Sequence, residues 1–473
     1  MKFAAPTATR ADAYQLMHQG VLALAAVEHA GIRVDMKYLK DTLRRVGDDI
    51  NMSEDLLKTT EVWKEWRKRF PDRANMNSLD QMAVVLFDVM NVKPVGVGRT
   101  ATGKWKMDED ALTRLDHPFC RDFLKLKKLH KIKSTYLEGI LRETVDGFLH
   151  PNFNTHLART YRSSSDQPNF QNFPIRNKVM GRLIRSIFVP RKGRRIVEVD
   201  YKTLEVRIAY CYHKDPVMRR YLTDPDTNMH RDEAVNLFKL DQKQVGDKTT
   251  RDAAKNQFVF PQFYGSVWFQ CAPAIWERMR RQEWKVEGSD TLVIDHLRKK
   301  GITKLGNCDP DWIRQSGGPE PGTFSAHVRD CERGMWRKYA TYDQWRKDWY
   351  EEYKRTGRFW NFTGFGWEGV LKRNDTINYP VQSAAFHCLL KCLIQIQKIL
   401  AKRGLKSLIV GQIHDSIILD VVEEEFDEVM EVCKYVMEVW LLKRWSWITI
   451  PLEIEVEAAP VGMSWHEKTK VKL

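Results

Sequence analysis

Ile196-Val197-Glu198-Val199-Asp200-Tyr201-Lys202-Thr203-Leu204-Glu205-Val206-Arg207 is the stretch whose reading decides the fold. Its first half reads as a buried strand that carries a carboxylate at Asp200. A second apolar run, Leu408-Ile409-Val410-Gly411-Gln412-Ile413-His414-Asp415-Ser416-Ile417-Ile418-Leu419, reads the same way and carries Asp415. An acid in such a setting costs free energy unless a cation or hydrogen-bond donors compensate it. Two of them suggest a shared metal site, and two metals held by aspartates suit displacement at phosphorus. By themselves the pair fits a nuclease, a phosphatase or a polymerase.

A chain of 473 residues holds a large core and two or three structural units. The excess of 77 Lys+Arg over 62 Asp+Glu, a net charge of +15, points to a polyanion: nucleic acid or an anionic membrane surface. No apolar stretch approaches the ~18 residues of a membrane span, and Met1-Lys2-Phe3-Ala4-Ala5-Pro6 lacks a secretory apolar region. The expectation is a cytoplasmic protein with no membrane partner. The cysteines (Cys120, Cys211, Cys271, Cys308, Cys331, Cys388, Cys392, Cys433) show no zinc spacing and read as reduced thiols. Cys388 and Cys392, at i,i+4 on a helix, read as small core residues.

Residues 11–60 read as helical, with a turn at Gly31-Ile32-Arg33-Val34-Asp35. An apolar helix over Met82–Met90 precedes a loop, 95–104. A basic helix over Phe123–Tyr136 carries Lys125, Lys127, Lys128, Lys131 and Lys133, a solvated face or a phosphate-contacting one. Glu283–Phe324 is the least patterned stretch and reads as an insertion or long loop. Met335–Trp367 is rich in Trp, Tyr, Lys and Arg, which suits base stacking and phosphate contact or, equally, an amphipathic helix with its aromatics inward.

Several of these stretches, in order, resemble the polymerase module of the family A (DNA polymerase I type) DNA polymerases, over residues 14–466. The resemblance implies that Asp200 and Asp415 are catalytic and hold two Mg2+ ions, with Mn2+ as a substitute, and that the Tyr201 backbone carbonyl is a further ligand. Arg251-Asp252-Ala253-Ala254-Lys255, with Phe258, Phe260 and Phe263-Tyr264-Gly265, resembles the fingers helix. Arg251, Lys255, Phe260, His230, Glu205 and Tyr264 are then nucleotide-binding, with Glu205 packed where a ribose 2′-hydroxyl would project. Thr160–Asn172, Asn378-Tyr379-Pro380-Val381-Gln382 and Gln412-Ile413-His414-Asp415 resemble primer and template contacts. Arg162, Gln171, Asn172, Gln382 and His414 are the DNA-binding candidates they supply, and Arg207, from the stretch that begins at Asp200, is a further one. Asn77-Ser78, Thr102-Gly103 and Lys133-Ser134-Thr135-Tyr136 resemble the thumb, which adds Asn77, Ser78, Lys133, Ser134 and Thr135. Pro451–Val456 and Gly462-Met463-Ser464-Trp465 resemble the closing strand and tail.

The chain departs from the family twice. Lys255 to Tyr264 is one residue longer than usual and contains Pro261, so a local irregularity is expected near residues 256–261. Counting back from Tyr264-Gly265 selects Phe260 as the aromatic against the nucleotide; counting forward from Lys255 selects Val259. A ring can stack and a valine cannot, which favours Phe260. Phe260 rather than Tyr would disfavour dideoxynucleotides. Ser416 stands where the family commonly has Glu, so the outer metal shell is lighter.

The expected fold is α+β: a right-hand polymerase with an antiparallel palm sheet, helical fingers and a helical thumb. The expected units are an N-terminal helical segment (1–40), thumb (41–140), first palm part (141–225), fingers (226–376, insertion about 283–324) and second palm part (377–473). The expected reaction is addition of dNTPs to a primer 3′-OH on primer-template DNA, without a proofreading exonuclease in this chain. Its expected setting is a monomer of phage or viral origin, in the host cell cytoplasm, with an accessory replication protein at the insertion. The rivals are a single-subunit RNA polymerase-like enzyme, a polymerase with strong reverse transcriptase activity and a catalytically silent DNA-binding protein.

Overall fold

Five antiparallel strands form the palm sheet: β1 (Arg194–Tyr201), β2 (Leu408–Ile413), β3 (Ser416–Val422), β4 (Ile454–Ala458) and β5 (Thr469–Val471), in spatial order β5-β4-β1-β3-β2. The computed structural model describes residues 8–94, 97–100, 102–174 and 178–472, so the leader reading at Met1–Pro6 and parts of the 95–104 loop lie outside the described residues. Central β1 is rich in Val and Ile, as a strand flanked on both sides should be. Asp200 sits near its end, directly across from Ser416 on β3 and Glu455 on β4.

The run 408–419 is not the single strand expected from its composition. Ile413 pairs with Ser416, so His414 and Asp415 form a two-residue hairpin turn, and His414 is left-handed at φ 50°. Two-residue hairpins need positive φ to match strand twist, and His tolerates it where the flanking β-branched residues do not. The second carboxylate therefore stands at a hairpin tip.

Helix α1 (Arg10–Ala30) begins with a reciprocal capping box between Thr9 and Asp12. Helix α2 (Met36–Thr59) is capped by Asp35 and packs on α3 (Pro118–Lys131), which runs into a π turn, Ile132–Leu137. The α3 lysines 125, 127, 128 and 131 lie on its exposed face, and the inward face is Phe119, Phe123 and Leu126. Helix α4 (Leu204–His213) follows a left-handed Thr203. Helix α5 (Met229–Phe238) is capped by Asn228. The fingers helix over 250–263 is segmented: Thr250–Ala253 and Phe260–Phe263 are α-helical and Ala254–Val259 is a π turn. The irregularity expected at 256–261 is present and begins two residues earlier. Pro261 sits in the first turn of the last segment, where its missing N–H costs least.

Helix α6 (Trp268–Arg281) leads into the insertion, which is folded rather than a long loop. The insertion contains two short helices, Val293–Lys299 and Pro310–Ser316; the first buries Val293 and Leu297, Trp284, Val286 and Ile302 are buried beside it in sequence, and His296 bonds the Lys239 carbonyl at 2.8 Å. These apolar residues are too widely spaced to give a periodic signal. Helices α7 (Phe324–Lys338) and α8 (Ala340–Thr356) follow. Tyr342, Trp345, Trp349 and Tyr353 of α8 are buried, so the aromatic-rich stretch mostly packs inward.

Helix α9 (Arg373–Arg403) backs the sheet. A Cβ on Gly20 would lie 2.6 Å from Leu390 Cδ2, so α1 and α9 approach closely enough that a larger residue there would force Leu390 to move. One 18-residue window of α9 is long and apolar enough to cross a membrane, which corrects the expectation that no such stretch exists. Its apolar side chains are used internally: 67% of that window is buried. The expected boundaries 40/41 and 376/377 fall inside the continuous helices α2 and α9.

Candidate active site

The hairpin tip brings Asp415 beside the end of β1, where the Tyr201 N–H donates to the Asp415 carbonyl at 3.3 Å. Burial first, then the charges of Asp415 and Glu198, push the Asp200 carboxyl up to about 8. Asp415 is raised too, chiefly by burial. Two like charges sharing a low-dielectric site cannot both ionise cheaply, and a hard cation relieves that. The donors are all oxygen, two carboxylates and a neighbouring backbone, which fits a divalent ion that keeps several waters. Among the described residues no group of three or more His, Cys, Asp or Glu forms a metal cluster. Ser416 supplies no charge: it is buried and its hydroxyl donates to the Ile413 carbonyl at 2.9 Å, closing the hairpin. The Tyr201 ring is anchored by its hydroxyl, which donates to the Met437 carbonyl at 2.9 Å.

Glu205, in the first turn of α4, accepts from the Tyr264 hydroxyl and ion-pairs with Arg162. The Arg162 Nε also lies 3.4 Å from the Gln382 carbonyl, which it reaches as donor. Glu205, Phe260 and Tyr264, with Val206, Ala209 and Ile377, line a shallow, mainly apolar cup. On the segmented helix, Lys255 Nζ stands 5.5 Å from the Phe260 ring centre, and His230 meets the same ring edge-on at 5.3 Å. Arg251 Nε donates to Asn228 Oδ1 at 3.3 Å. Burial, then Lys255 and Arg251, push His230 down to about 3, so it is neutral, and its buried Nδ1 has no hydrogen-bond partner. Val259 is wholly buried, whereas Phe260 lines the cup.

Two DNA-binding candidates are occupied elsewhere. Gln171 is buried and its amide donates to Ser163 Oγ at 2.8 Å and Gln412 Oε1 at 2.7 Å; Gln412 in turn donates to the His414 carbonyl at 2.8 Å. It braces the hairpin tip rather than facing outward. Arg207 is buried, donating to the Pro451 carbonyl at 2.6 Å, Glu453 at 2.7 Å and the Lys202 carbonyl at 3.2 Å. It ties the turn after Asp200 to the segment before β4. Asn172 and His414 are exposed and Gln382 is half-buried. Asn77, Ser134 and Thr135 are exposed thumb residues and Lys133 is partly so; Ser78 caps the helix Leu79–Ala83. They do not gather with the carboxylates.

The sequence reading missed Asn374 and gave no role to Asn378, which it quoted only as part of a motif. Their amides donate to the Gly265 carbonyl at 3.3 Å and the Tyr264 carbonyl at 2.9 Å, fixing the end of the segmented helix. Their i,i+4 spacing on α9, just before Tyr379-Pro380, was the available signal. Ser163 and Gln412 were also missed, because their partners are remote in sequence.

An antiparallel palm sheet with paired carboxylates, together with helical fingers and a helical thumb, is the architecture of a right-hand polymerase. The model of the family "DNA polymerase family A" matches residues 50–283 and 368–467. This chain belongs to the family A DNA polymerases. It is 27% identical over 458 residues to DNA polymerase I of Bacillus subtilis (strain 168), covering 94% of this chain and 44% of that protein. It is 26% identical over 459 residues to the thermostable DNA polymerase I of Thermus aquaticus, covering 93% and 46%. The chain thus spans less than half the length of these relatives. Among solved structures, the POL domain of Pol1 from M. smegmatis, in complex with DNA primer-template and dNTP, shares the fold at a TM-score of 0.73 and 22% identity, covering 95% of this chain and 70% of that one. These relatives are bacterial and lend no support to a phage or viral origin.

Proposed function

We propose that this chain catalyses template-directed addition of dNTPs to a primer 3′-OH, releasing pyrophosphate, with two divalent ions, Mg2+ by preference, at Asp200 and Asp415. The observation that carries the reading is the Asp200–Asp415 pair at the hairpin tip, beside the Arg162–Glu205–Tyr264 cluster from which Phe260 leads on to Lys255 and neutral His230. When bound, the cations supply positive charge that acidifies the primer hydroxyl and meets charge developing on the phosphoryl and leaving groups. Asp200 and Asp415 hold that charge in place, with the Tyr201 carbonyl as a further ligand. Arg251 and Lys255 neutralise the triphosphate, and His230 adds a neutral polar contact. Phe260 offers a ring to the base or sugar. Glu205, fixed by Tyr264 and Arg162, fills the place of a 2′-hydroxyl and disfavours ribonucleotides.

Primer extension with the intact chain tests this. Asp415→Ala should abolish addition while leaving duplex affinity within about twofold, since the carboxylate serves the cations rather than the backbone grip. Extension that survives this change would refute the reading. Parallel assays with rNTPs and with RNA templates separate it from an RNA polymerase or reverse transcriptase activity.

A further inference from the structure

His387 lies on α9 and is wholly buried. Both ring nitrogens are engaged: Nε2 is 3.2 Å from the Tyr161 carbonyl and Nδ1 is 2.6 Å from Thr363 Oγ1. Burial pushes the imidazole down to about 3, so it is neutral and carries one N–H. A carbonyl can only accept, which places that proton on Nε2 and makes Nδ1 an acceptor. The Thr363 hydroxyl, also 2.9 Å from Asn361 Oδ1, therefore gives its proton to Nδ1, since Asn361 Oδ1 already accepts from the Thr363 and Phe365 N–H groups at 3.0 and 2.9 Å. Asn361 in turn donates to Ser383 Oγ on α9 at 2.7 Å. The turn between the paired strands Arg358–Trp360 and Gly366–Glu368 thus fixes the tautomer and the orientation of the ring.

The carbonyl that this ring holds belongs to a residue that needs holding. Tyr161 is left-handed at φ 51°, a conformation that persists in an L-residue where its surroundings impose it. Its hydroxyl donates to the Gly366 carbonyl at 2.9 Å and its ring packs on Phe365 and Trp367, so the side chain is pinned to the same turn. The His387 bond acts on the backbone instead. The Tyr161 carbonyl and the Arg162 N–H share one rigid peptide plane, so fixing the carbonyl fixes the direction in which Arg162 leaves the turn. From there the Arg162 guanidinium reaches the Gln382 carbonyl at 3.4 Å and the Glu205 carboxylate. Glu205 is held by Arg162 and by the Tyr264 hydroxyl. If Arg162 turns away, the carboxylate gains freedom to rotate out of the place of a 2′-hydroxyl.

We propose that His387 is a positioning residue for sugar selection: through the Tyr161 peptide plane it aims Arg162 at Glu205, and so sets the sugar gate from inside the core. The assignment rests on the polymerase reading for what Glu205 excludes.

The test is single-nucleotide addition with dNTP and rNTP, with rates normalised to active sites by the initial burst. His387→Leu removes the donor and should lower the dNTP-over-rNTP discrimination in kcat/KM about tenfold. His387→Gln keeps an N–H donor close to the position of Nε2 and should stay within about threefold of wild type. In an Arg162→Ala background, His387→Leu should change the ratio by less than about twofold, because its effect runs through Arg162. Thr363→Val, which removes only the hydroxyl on Nδ1, covers the case of a His387→Leu chain that does not fold, and should shift the ratio the same way by about threefold. Unchanged discrimination in His387→Leu or, failing that, in Thr363→Val overturns the proposal, as does full additivity with Arg162→Ala or equal damage from Gln and Leu. A second readout needs no turnover: in protein with isotope-labelled arginine, the Arg162 Nε–H should exchange slowly in wild type and in His387→Gln, and faster in His387→Leu. If the wild-type chain extends no primer but that exchange still depends on His387, the polymerase reading fails and the positioning of Arg162 stands. If extension is normal and the exchange is indifferent to His387, the positioning fails and the polymerase reading stands.

Discussion

Asp200 illustrates how a buried carboxylate is held at a cost to stability. Its carboxyl is raised, so between the usual carboxylate range and about 8 the folded chain binds more protons than the unfolded one. Metal-free stability from this group therefore falls as pH rises through that window. Asp200→Asn should raise the metal-free melting temperature at neutral pH by a few degrees, about 1–3 kcal/mol, and eliminate nucleotide addition; calorimetry in chelator checks the first and primer extension the second. Arg207 argues in the opposite direction. Because it donates to two carbonyls and Glu453, Arg207→Ala should destabilise by about 1–3 kcal/mol in urea titration with little change in DNA affinity. Its role was not legible in the sequence, and neither was that of Gln171. Whether a polar side chain meets solvent, ligand or protein depends on partners such as Gln412 and Pro451, which lie far along the chain. The placement of Asp200 on a strand and of Arg251 and Lys255 on a helix was legible because each sits in a local pattern.

At the level of elements, the π turn could be anticipated from a Lys255–Tyr264 spacing one residue longer than the family's together with Pro261, the latter visible locally. The hairpin at His414–Asp415 could not, since a two-residue turn leaves an apolar run looking continuous. The end of the segmented helix is constrained at Gly265, which has φ 92° and would place a Cβ 2.2 Å from Asn374 Oδ1. Gly265→Ala should displace Tyr264 and the Asn378 contact, raising KM for dNTP about tenfold or more, measurable by single-nucleotide addition. On α9, burial holds His387 down to about 3; its Nε2 donates to the Tyr161 carbonyl at 3.2 Å and its Nδ1 lies 2.6 Å from Thr363 Oγ1. A histidine with a depressed folded pKa contributes stability that is complete above about 6.5 and is lost as pH falls toward 3. Acid titration of the melting temperature should show this loss at up to ~1.4 kcal/mol per pH unit, and His387→Gln should make the curve shallower.

Across the whole molecule, the resemblance carried by the order of the motifs pointed to the right-hand architecture, and the family match agrees. What they did not reveal was that residues 284–322 fold onto the fingers, because a handful of spaced apolar side chains carries the packing. Leu297→Ala should cost about 2–5 kcal/mol in urea unfolding while leaving extension of a primed template measurable at low temperature. Loss of activity without loss of stability would mean that the insertion reaches the chemistry directly. For anyone retuning the sugar preference of this chain, the π turn sets a trap. A substitution borrowed from a relative and transferred by residue count from Lys255 lands on Val259, in the enclosed core, and the outcome is a poorly folded protein misread as a failed specificity change. Anchoring the transfer at Tyr264-Gly265 reaches Phe260, so a library built on the wrong anchor would sample folding defects instead of substrate choice.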